Sequence, residues 1–364
     1  MRRRNVRAWI SRLYSQNRLP LIGTVLVVTV GALVLGRTVD LASTLALLAE
    51  ADPVLLGAAL AVYLLSWPLR GRRYGDVLTA MDRRFGTWFL TAAVFTSQTA
   101  NLIVPARAGD GVRAYLLKER RDVPYALGVA SLAVERAFDL VAIATLGGAA
   151  FAFLLLDGRG IATGDYAIAT TVAVGVAMAA IVLSIVTVVV ARSDRTFGPA
   201  VCDRVRNRRL STLVDAVVRF GASIRVVAER PRSIGAIYAG SVAVWALDVL
   251  TAVAVLAALV GTGGELSAWG LLVVGTLAVS VGNLAKVLPL SQGGIGLYEA
   301  AFTGLVVGIT PIGVGTAVTA AILDHALKNA VTLAGGAVAG IGLNTSPMRS
   351  PEEAEPPATG SSDF

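Results

Sequence analysis

The sequence predicts an all-α membrane protein: a polytopic helical bundle of about six full spans and two re-entrant broken-helix hairpins, arranged as inverted repeats. Three observations predict it. Hydrophobic residues make up 55% of the chain and charged residues 15%, against about 25% charged in an ordinary soluble domain, and mean hydropathy is +0.71. Apolar runs recur at close to the ~20 residues that a helix needs to cross the hydrocarbon core. They are continuous rather than alternating, which argues against a β-barrel. Arginine gathers between the runs, as it does in cytoplasmic loops. That distribution accounts for the net charge of +8 without nucleic acid, which is not expected as a partner.

The elements follow in order. The N-terminal stretch MRRRNVRAWISRLYSQNRLP is basic and leads into an apolar run at 20–36. No convincing small-residue cleavage site follows, so the run reads as a retained first span with its basic end inside. Residues 1–19 are then a basic cytoplasmic N-terminus and 20–344 the membrane domain. Further apolar runs lie at 53–69, 87–104, 124–156, 165–191, 233–260, 267–290, 294–309 and 311–341. The stretches 70–86 (RGRRYGDVLTAMDRRFG), 118–122 (KERRD) and above all 192–232 are rich in Arg, and positive-inside reasoning places them in the cytoplasm. The stretch 37–52 carries Asp40, Glu50 and Asp52 with one Arg, and 157–164 and 261–266 are nearly neutral. The tail 345–364, TSPMRSPEEAEPPATGSSDF, is Pro-rich and acidic and reads as a disordered cytoplasmic segment. Both termini are expected in the cytoplasm of a multi-pass protein of the cell (plasma) membrane.

Only one apolar segment, 87–104, separates the basic stretches 70–86 and 118–122. A full span there would place them on opposite sides. They agree if the chain enters the membrane, turns between Pro105 and Gly109, and returns. Pro105 disfavours helix at the residue before it, and Gly109 and Gly111 permit a sharp reversal. Irregular backbone at membrane depth survives where it is buried in protein or lines a wet cavity. The alternative is a full span followed by a basic outer loop. The first re-entrant unit covers about 87–156.

A second unit, about 267–341, repeats the pattern. Gly109 lies four residues past Pro105, and Gly293 four past Pro289; Asn101 and Asn283 precede the two prolines. Each hairpin is followed by an apolar helix interrupted by charge and closed by a Gly pair. Glu135, Arg136 and Asp139 align with Asp324, His325 and Lys328. Charge counting along the loops makes the second hairpin enter from the face opposite the first.

Ionisable residues inside a bilayer cost at least a few kcal/mol and therefore face a cavity or a partner. Glu135 and Asp139 are four apart on one helix face, with Arg136 pointing elsewhere. A cation for the two carboxylates could come from Arg107, Arg113 or Lys286. The same set also suits a purely structural ion pair between helices. Arg107, Asp110 and Arg113 surround the first turn, where the N-terminus of a returning half-helix could hold a phosphate; the two arginines could equally snorkel to the interface. At the second turn Gly293 and Gly294 could offer amides to an anion, with Lys286 on the entering side and Glu299 on the returning helix. Asn101 and Asn283 are expected to bond the broken backbone beside them. Asp324 and Lys328 complete the membrane-embedded candidates, and Asp324 with His325 could relay protons.

The single Cys, Cys202, and the single His, His325, exclude a disulfide framework and a multi-His zinc site. No phosphate-loop, kinase, hydrolase or dinucleotide motif stands in a credible context. No metal, no cofactor and no enzymatic activity are expected.

Three motifs together resemble a known family. They are N-x-x-x-P-x-R-x-G-D-x-x-R across Asn101 to Arg113, E-R-x-x-D from Glu135 to Asp139, and LPLSQGGIGLYEAAF from Leu288 to Phe302. The sequence resembles, over roughly 20–341, the flippase-like integral membrane family named for the transmembrane region of lysylphosphatidylglycerol synthases. In those synthases the membrane region is associated with moving an aminoacylated lipid between leaflets, and a separate soluble domain makes that lipid. Related regions are fused to glycosyltransferases. The resemblance implies a protein that binds or flips a charged lipid or lipid-linked molecule, without a synthetic domain. Its expected partners are membrane lipids, anionic or lipid-linked, and a separate glycosyltransferase or lipid synthase. The alternatives are a proton-coupled transporter of a small solute and a non-catalytic membrane subunit of such an enzyme.

Overall fold

The computed structural model describes residues 41–104, 109–156, 230–261, 266–286 and 291–343. The expected spans at 20–36 and 165–191, most of the loop 192–232, Arg107, Cys202 and both terminal segments lie outside them. Among the described residues the chain forms nine α-helices and one 3-10 turn and has no strand. They are α1 Leu41–Glu50, α2 Pro53–Ala80, α3 Thr87–Ile103, α4 Gly109–Arg121, α5 Tyr125–Leu156, α6 Pro231–Val260, α7 Ala268–Ala285, α8 Leu297–Ile309 and α9 Val314–Gly342. Four of these are long and apolar enough to cross a membrane: Pro53–Ala80, Tyr125–Leu154, Arg232–Val260 and Ala268–Ala285. Large apolar side chains such as Leu64, Leu65, Trp269, Val338 and Ile341 lie on the outside of the bundle, the reverse of what water selects.

Local sequence explains the helix ends. Asp52 caps α2 by accepting from the Val54 and Leu55 amides at 2.8 and 3.3 Å, with Pro53 in the first turn, where its missing donor costs nothing. Ser267 caps α7 by accepting from the Gly270 amide at 3.1 Å. Helix α3 ends at Ile103, two residues before Pro105, as the proline dictates. Gly293, Gly294 and Gly296 sit at φ of 61°, 77° and 83° in the 3-10 turn and the entry to α8, a conformation that a side chain disfavours.

One expectation fails here. Residues 70–86 are not a loop: α2 runs unbroken to Ala80, through Pro68, and only Met81–Gly86 connects it to α3. Arg73 is 2% exposed. The orientation argument counted Arg70 and Arg73 as loop charge, so it loses both. The helix persists because the guanidinium of Arg73 finds carboxylates inside the bundle.

Helices α2 and α6 run antiparallel along their full lengths. Asp52 donates to the Ala258 carbonyl at one end, Gly240 lies against the stem of Arg73 midway, and Arg230 grips Asp82 at 2.8 Å at the other. Each broken pair then folds back on itself. Gly109 touches the backbone of Ser97 and Asn101, and Gly282 meets the Tyr298 ring. The hairpins lean on the opposite ends of the chain. Helix α3 packs on α9, with Gly335 under Phe95 and Gly336 under Thr99, and α7 packs on α5, with Gly147 against Ser280. Small residues at these crossings let helices that bury little extra apolar surface approach closely. The two breaks meet: Leu102, near the end of α3, touches Gly293.

Candidate functional site

A cavity of about 400 Å³ opens where the breaks meet, within the roughly 300–1,000 Å³ usual for ligand pockets. Of the candidates named from the sequence, Asn101, Glu135, Arg136, Asp139, Asn283, Lys286, Gly293, Gly294 and Lys328 line it. Asp110, Arg113, Glu299 and Asp324 stand behind the wall, each bonded to a residue that lines the cavity. Arg107 lies outside the described residues.

The wall formed by α2, α4 and α5 is a closed ionic network. Arg73 holds both Glu135, at 2.5 Å, and Asp139. It also donates to Ser241 at 3.3 Å. Arg113 bonds Glu135 at 2.5 Å and lies over the Tyr74 ring at 4.8 Å. Arg136 bonds Asp110 at 3.1 Å and Asp139 at 3.4 Å. The Trp245 indole donates to Asp139 at 2.9 Å. Three arginines thus meet three carboxylates.

Several expectations are corrected by this network. Arg136 does not point away from Glu135 and Asp139; it lines the same cavity and bonds Asp139. The cation between the carboxylates is chiefly Arg73, with Arg113 on Glu135 alone. Arg113 is fully buried and committed to Glu135, so it does not face a ligand. In the first turn of α4 the Asp110 carboxylate bonds Asn101 and Arg136, so an anion approaching that end would meet a like charge. Among the described residues Asn101 donates to the Asp110 side chain at 3.0 Å, and Asn283 donates to the Val279 carbonyl at 2.8 Å.

The opposite wall, from α6, α8 and α9, is built differently. Lys328 contacts Asp324 at 2.9 Å and Asp248 at 3.1 Å. Arg70, across from α2, reaches Asp248 at 3.5 Å. The Tyr298 hydroxyl donates to Asp324 at 2.6 Å. Glu299 accepts from the Gly296 amide at 2.6 Å and pairs with His325 at 2.6 Å. The N-terminus of α8 is therefore capped by Glu299, not left for an outside anion. Lys286 lies over the Tyr298 ring at 4.3 Å, with Lys328 at 5.9 Å from the same ring.

Sequence reasoning missed Arg70, Arg73, Trp245 and Asp248. Asp248 carried a usable signal: it is the lone charged residue in the apolar run 233–260, which marks it as a candidate by itself. Arg70 and Arg73 are three apart, on one helix face, but the cluster RGRRYGD reads as a loop until α2 is seen to continue through it.

Buried charge gathered round a cavity, inside helices whose outer faces are apolar, defines a helical membrane protein with an internal polar site. The chain belongs to the lysylphosphatidylglycerol synthase transmembrane-region family, whose model matches residues 21–336. A protein of Haloferax volcanii named glycosyltransferase AglD is 41% identical over 354 residues, covering 92% of this chain and 56% of that relative. A UPF0104 membrane protein of Methanothermobacter thermautotrophicus is 26% identical over 285 residues, covering 73% of this chain and 76% of its own length. The chain thus spans little more than half the length of the glycosyltransferase-named relative. That relative's name is an enzyme's, and this overturns the expectation that the chain has no enzymatic role. The expectation rested on the lack of a short catalytic motif, whereas catalytic groups assemble in space from distant positions.

Proposed function

We propose that the cavity binds the charged head group of an anionic lipid or lipid-linked molecule and passes it between the leaflets of the cell membrane. The observation that carries this reading is the meeting of two broken hairpins at a cavity lined by Arg70, Arg73, Arg136, Lys286 and Lys328. Cationic side chains at that depth are costly unless they serve a polar passenger or partner. Broken helices converging on one site are a recurrent transporter design.

Support for reading the two units as inverted repeats comes from their ion pairs. Asp110–Arg136 and Glu299–His325 each span 26 residues. One offset of 189 relates Asp110 to Glu299, Glu135 to Asp324, Arg136 to His325 and Asp139 to Lys328 (299 − 110 = 324 − 135 = 325 − 136 = 328 − 139). The name of the Haloferax volcanii relative favours a passenger that bears a saccharide, and a glycosyltransferase as the protein that makes or uses it. Both termini are placed in the cytoplasm in this reading.

The test is a leaflet assay. The full chain is reconstituted into phosphatidylcholine vesicles carrying a trace of head-group-labelled phosphatidylglycerol, and a membrane-impermeant reductant is added. The expected result is that label in the inner leaflet becomes reducible in protein-loaded vesicles, while protein-free vesicles lose only the outer share. Identical bleaching in both, with no lipid retained on the purified protein in native mass spectrometry, rules the reading out.

A further inference from the structure

We infer that the cavity holds a neutral subsite where α2, α3 and α9 meet, built by Gln98, Asn329 and Trp67, and that it takes vicinal hydroxyls of the passenger's head group, as in a glycerol or a sugar ring. The inference rests on the head-group reading above and names the uncharged chemistry recognised within it. The hydroxyls could belong to a lipid or to a soluble phosphate ester.

Most of the charged side chains around the cavity answer one another. Arg73 and Arg136 pair with Glu135, Asp139 and Asp110, and Lys328 and Arg70 with Asp248. Two carboxamides are different. Gln98 on α3 and Asn329 on α9 line the cavity half-buried, and among the described residues neither side chain bonds to a protein group. Asn283, by contrast, spends its amide on the Val279 carbonyl. Trp67 lines the same cavity at 3% exposure, and its indole nitrogen has no acceptor among the described residues. Polar side chains inside a membrane bundle ordinarily bond across helices, and a group left unmet costs free energy.

The three residues come from neighbouring turns. Trp67 stacks on Phe95, with ring centroids 3.4 Å apart and planes 6° apart, and Gln98 lies one turn beyond Phe95 on α3. The same stretch of α3 meets α9 through Thr99, which donates to the Thr332 carbonyl at 2.8 Å. The Thr332 hydroxyl lies 3.5 Å from that of Tyr63 on α2. Asn329 is one turn before Thr332, and both line the cavity. This seam therefore brings one indole and two carboxamides to a common part of the wall.

Their chemistry selects the ligand. A carboxamide donates through its nitrogen and accepts through its oxygen. A phosphate oxyanion only accepts and an ammonium only donates, so either would leave half of each amide unmet. A hydroxyl does both, and adjacent hydroxyls can engage amides on two helices at once. A site built to bond a hydroxyl rejects the analogue that lacks it, because the site's own groups are then left unpaired.

The experiment titrates the delipidated full chain by calorimetry, in a polyoxyethylene detergent free of sugar. The probes are phosphatidylglycerol and phosphatidylpropanol, which has the same phosphate but no head-group hydroxyl. The wild type is expected to bind phosphatidylglycerol about tenfold more tightly, the scale of two neutral hydrogen bonds. Gln98→Leu combined with Asn329→Leu is expected to abolish this preference and to leave phosphatidylpropanol affinity within about twofold of wild type, a selective loss that misfolding does not produce. Each single variant should lose about threefold of the preference. Thr303→Val removes a hydroxyl that is also unpartnered but lies off the cavity, and should leave the preference intact; a loss there overturns the subsite. Equal wild-type affinities for the two lipids, the outcome if the amides hold only water, overturn the subsite and leave the head-group reading standing. So does full preference in the double variant, or loss of phosphatidylpropanol binding in both single variants. Glycerol 3-phosphate bound in preference to propyl phosphate, with neither lipid bound, keeps the subsite and assigns it to a soluble ester. Binding of neither the lipids nor the esters overturns both readings.

Discussion

Glu135 on α5 and Asp324 on α9 occupy corresponding places, and they are held in opposite ways. Glu135 sits between two arginines from α2 and α4. Asp324 takes a tyrosine hydroxyl and one lysine, and that lysine also serves Asp248 on α6. The first wall sets arginines against carboxylates and is fastened across three helices. The second meets its acids with a lysine, a tyrosine hydroxyl and a histidine as well as an arginine. Corresponding positions in the two units thus hold a buried carboxylate with different side chains. A buried ion pair is weak support for stability by itself, but breaking one by removing a single partner is costly.

The comparison can be broken or sharpened by substitution. The largest effect is expected for Arg73→Ala, which strands Glu135 and Asp139 without their shared cation. A loss of about 3–5 kcal/mol is expected, read as a collapse of thermal stability in detergent. Adding Glu135→Gln and Asp139→Asn should recover part of it. A stable single variant would show that the first wall does not depend on its shared cation. Next is Gly109→Ala, whose Cβ would lie 2.4 Å from the Asn101 amide and the Ser97 carbonyl. Backbone cannot step aside as a side chain can, so about 1–3 kcal/mol is expected. The Cβ of Gly282→Ala would first meet the Tyr298 ring, at 2.7 Å, a side chain rather than backbone, and melting curves of the two variants should show the smaller loss there.

Tyr298→Phe should cost about 1 kcal/mol by removing a donor from Asp324. It should leave the Lys286 and Lys328 contacts with the ring, so phosphatidylglycerol binding should hardly change. The smallest effect is expected for Lys118→Ala, whose exposed pair with Asp122 at 2.5 Å is screened by solvent, so that the melting temperature should hardly move. A loss in that variant comparable with Arg73→Ala would erase the distinction between buried and exposed pairs.

The helices, the breaks after Ile103 and around Gly293, and the charged positions on α5 and α9 were legible because each leaves a local mark: a proline, a glycine, or a charge inside an apolar run. The partners were not legible. Arg73 meets Asp139 66 residues away and Lys328 meets Asp248 80 residues away, and no local pattern encodes such separations. Arg70 and Arg73 were read as solvated loop charge because arginine usually seeks water, and here carboxylates from other helices replace it. The phosphate was expected at Arg107 and Arg113 for a related reason: from sequence, Arg113 shows its charge but not that Glu135 already claims it.

The leaning of α3 on α9 has a consequence for how the protein is made. Thr99 donates to the carbonyl of Thr332, 233 residues further along the chain. At synthesis rates of about 5–20 residues per second, the face of α3 that receives α9 waits about 10–50 s for its neighbour to leave the ribosome. Arg73, Arg113, Glu135 and Asp139 all emerge within one short stretch and can neutralise one another at once, before the later helices exist. The order of the charges along the gene thus supplies the early helices with company inside the lipid while the second hairpin is still being translated.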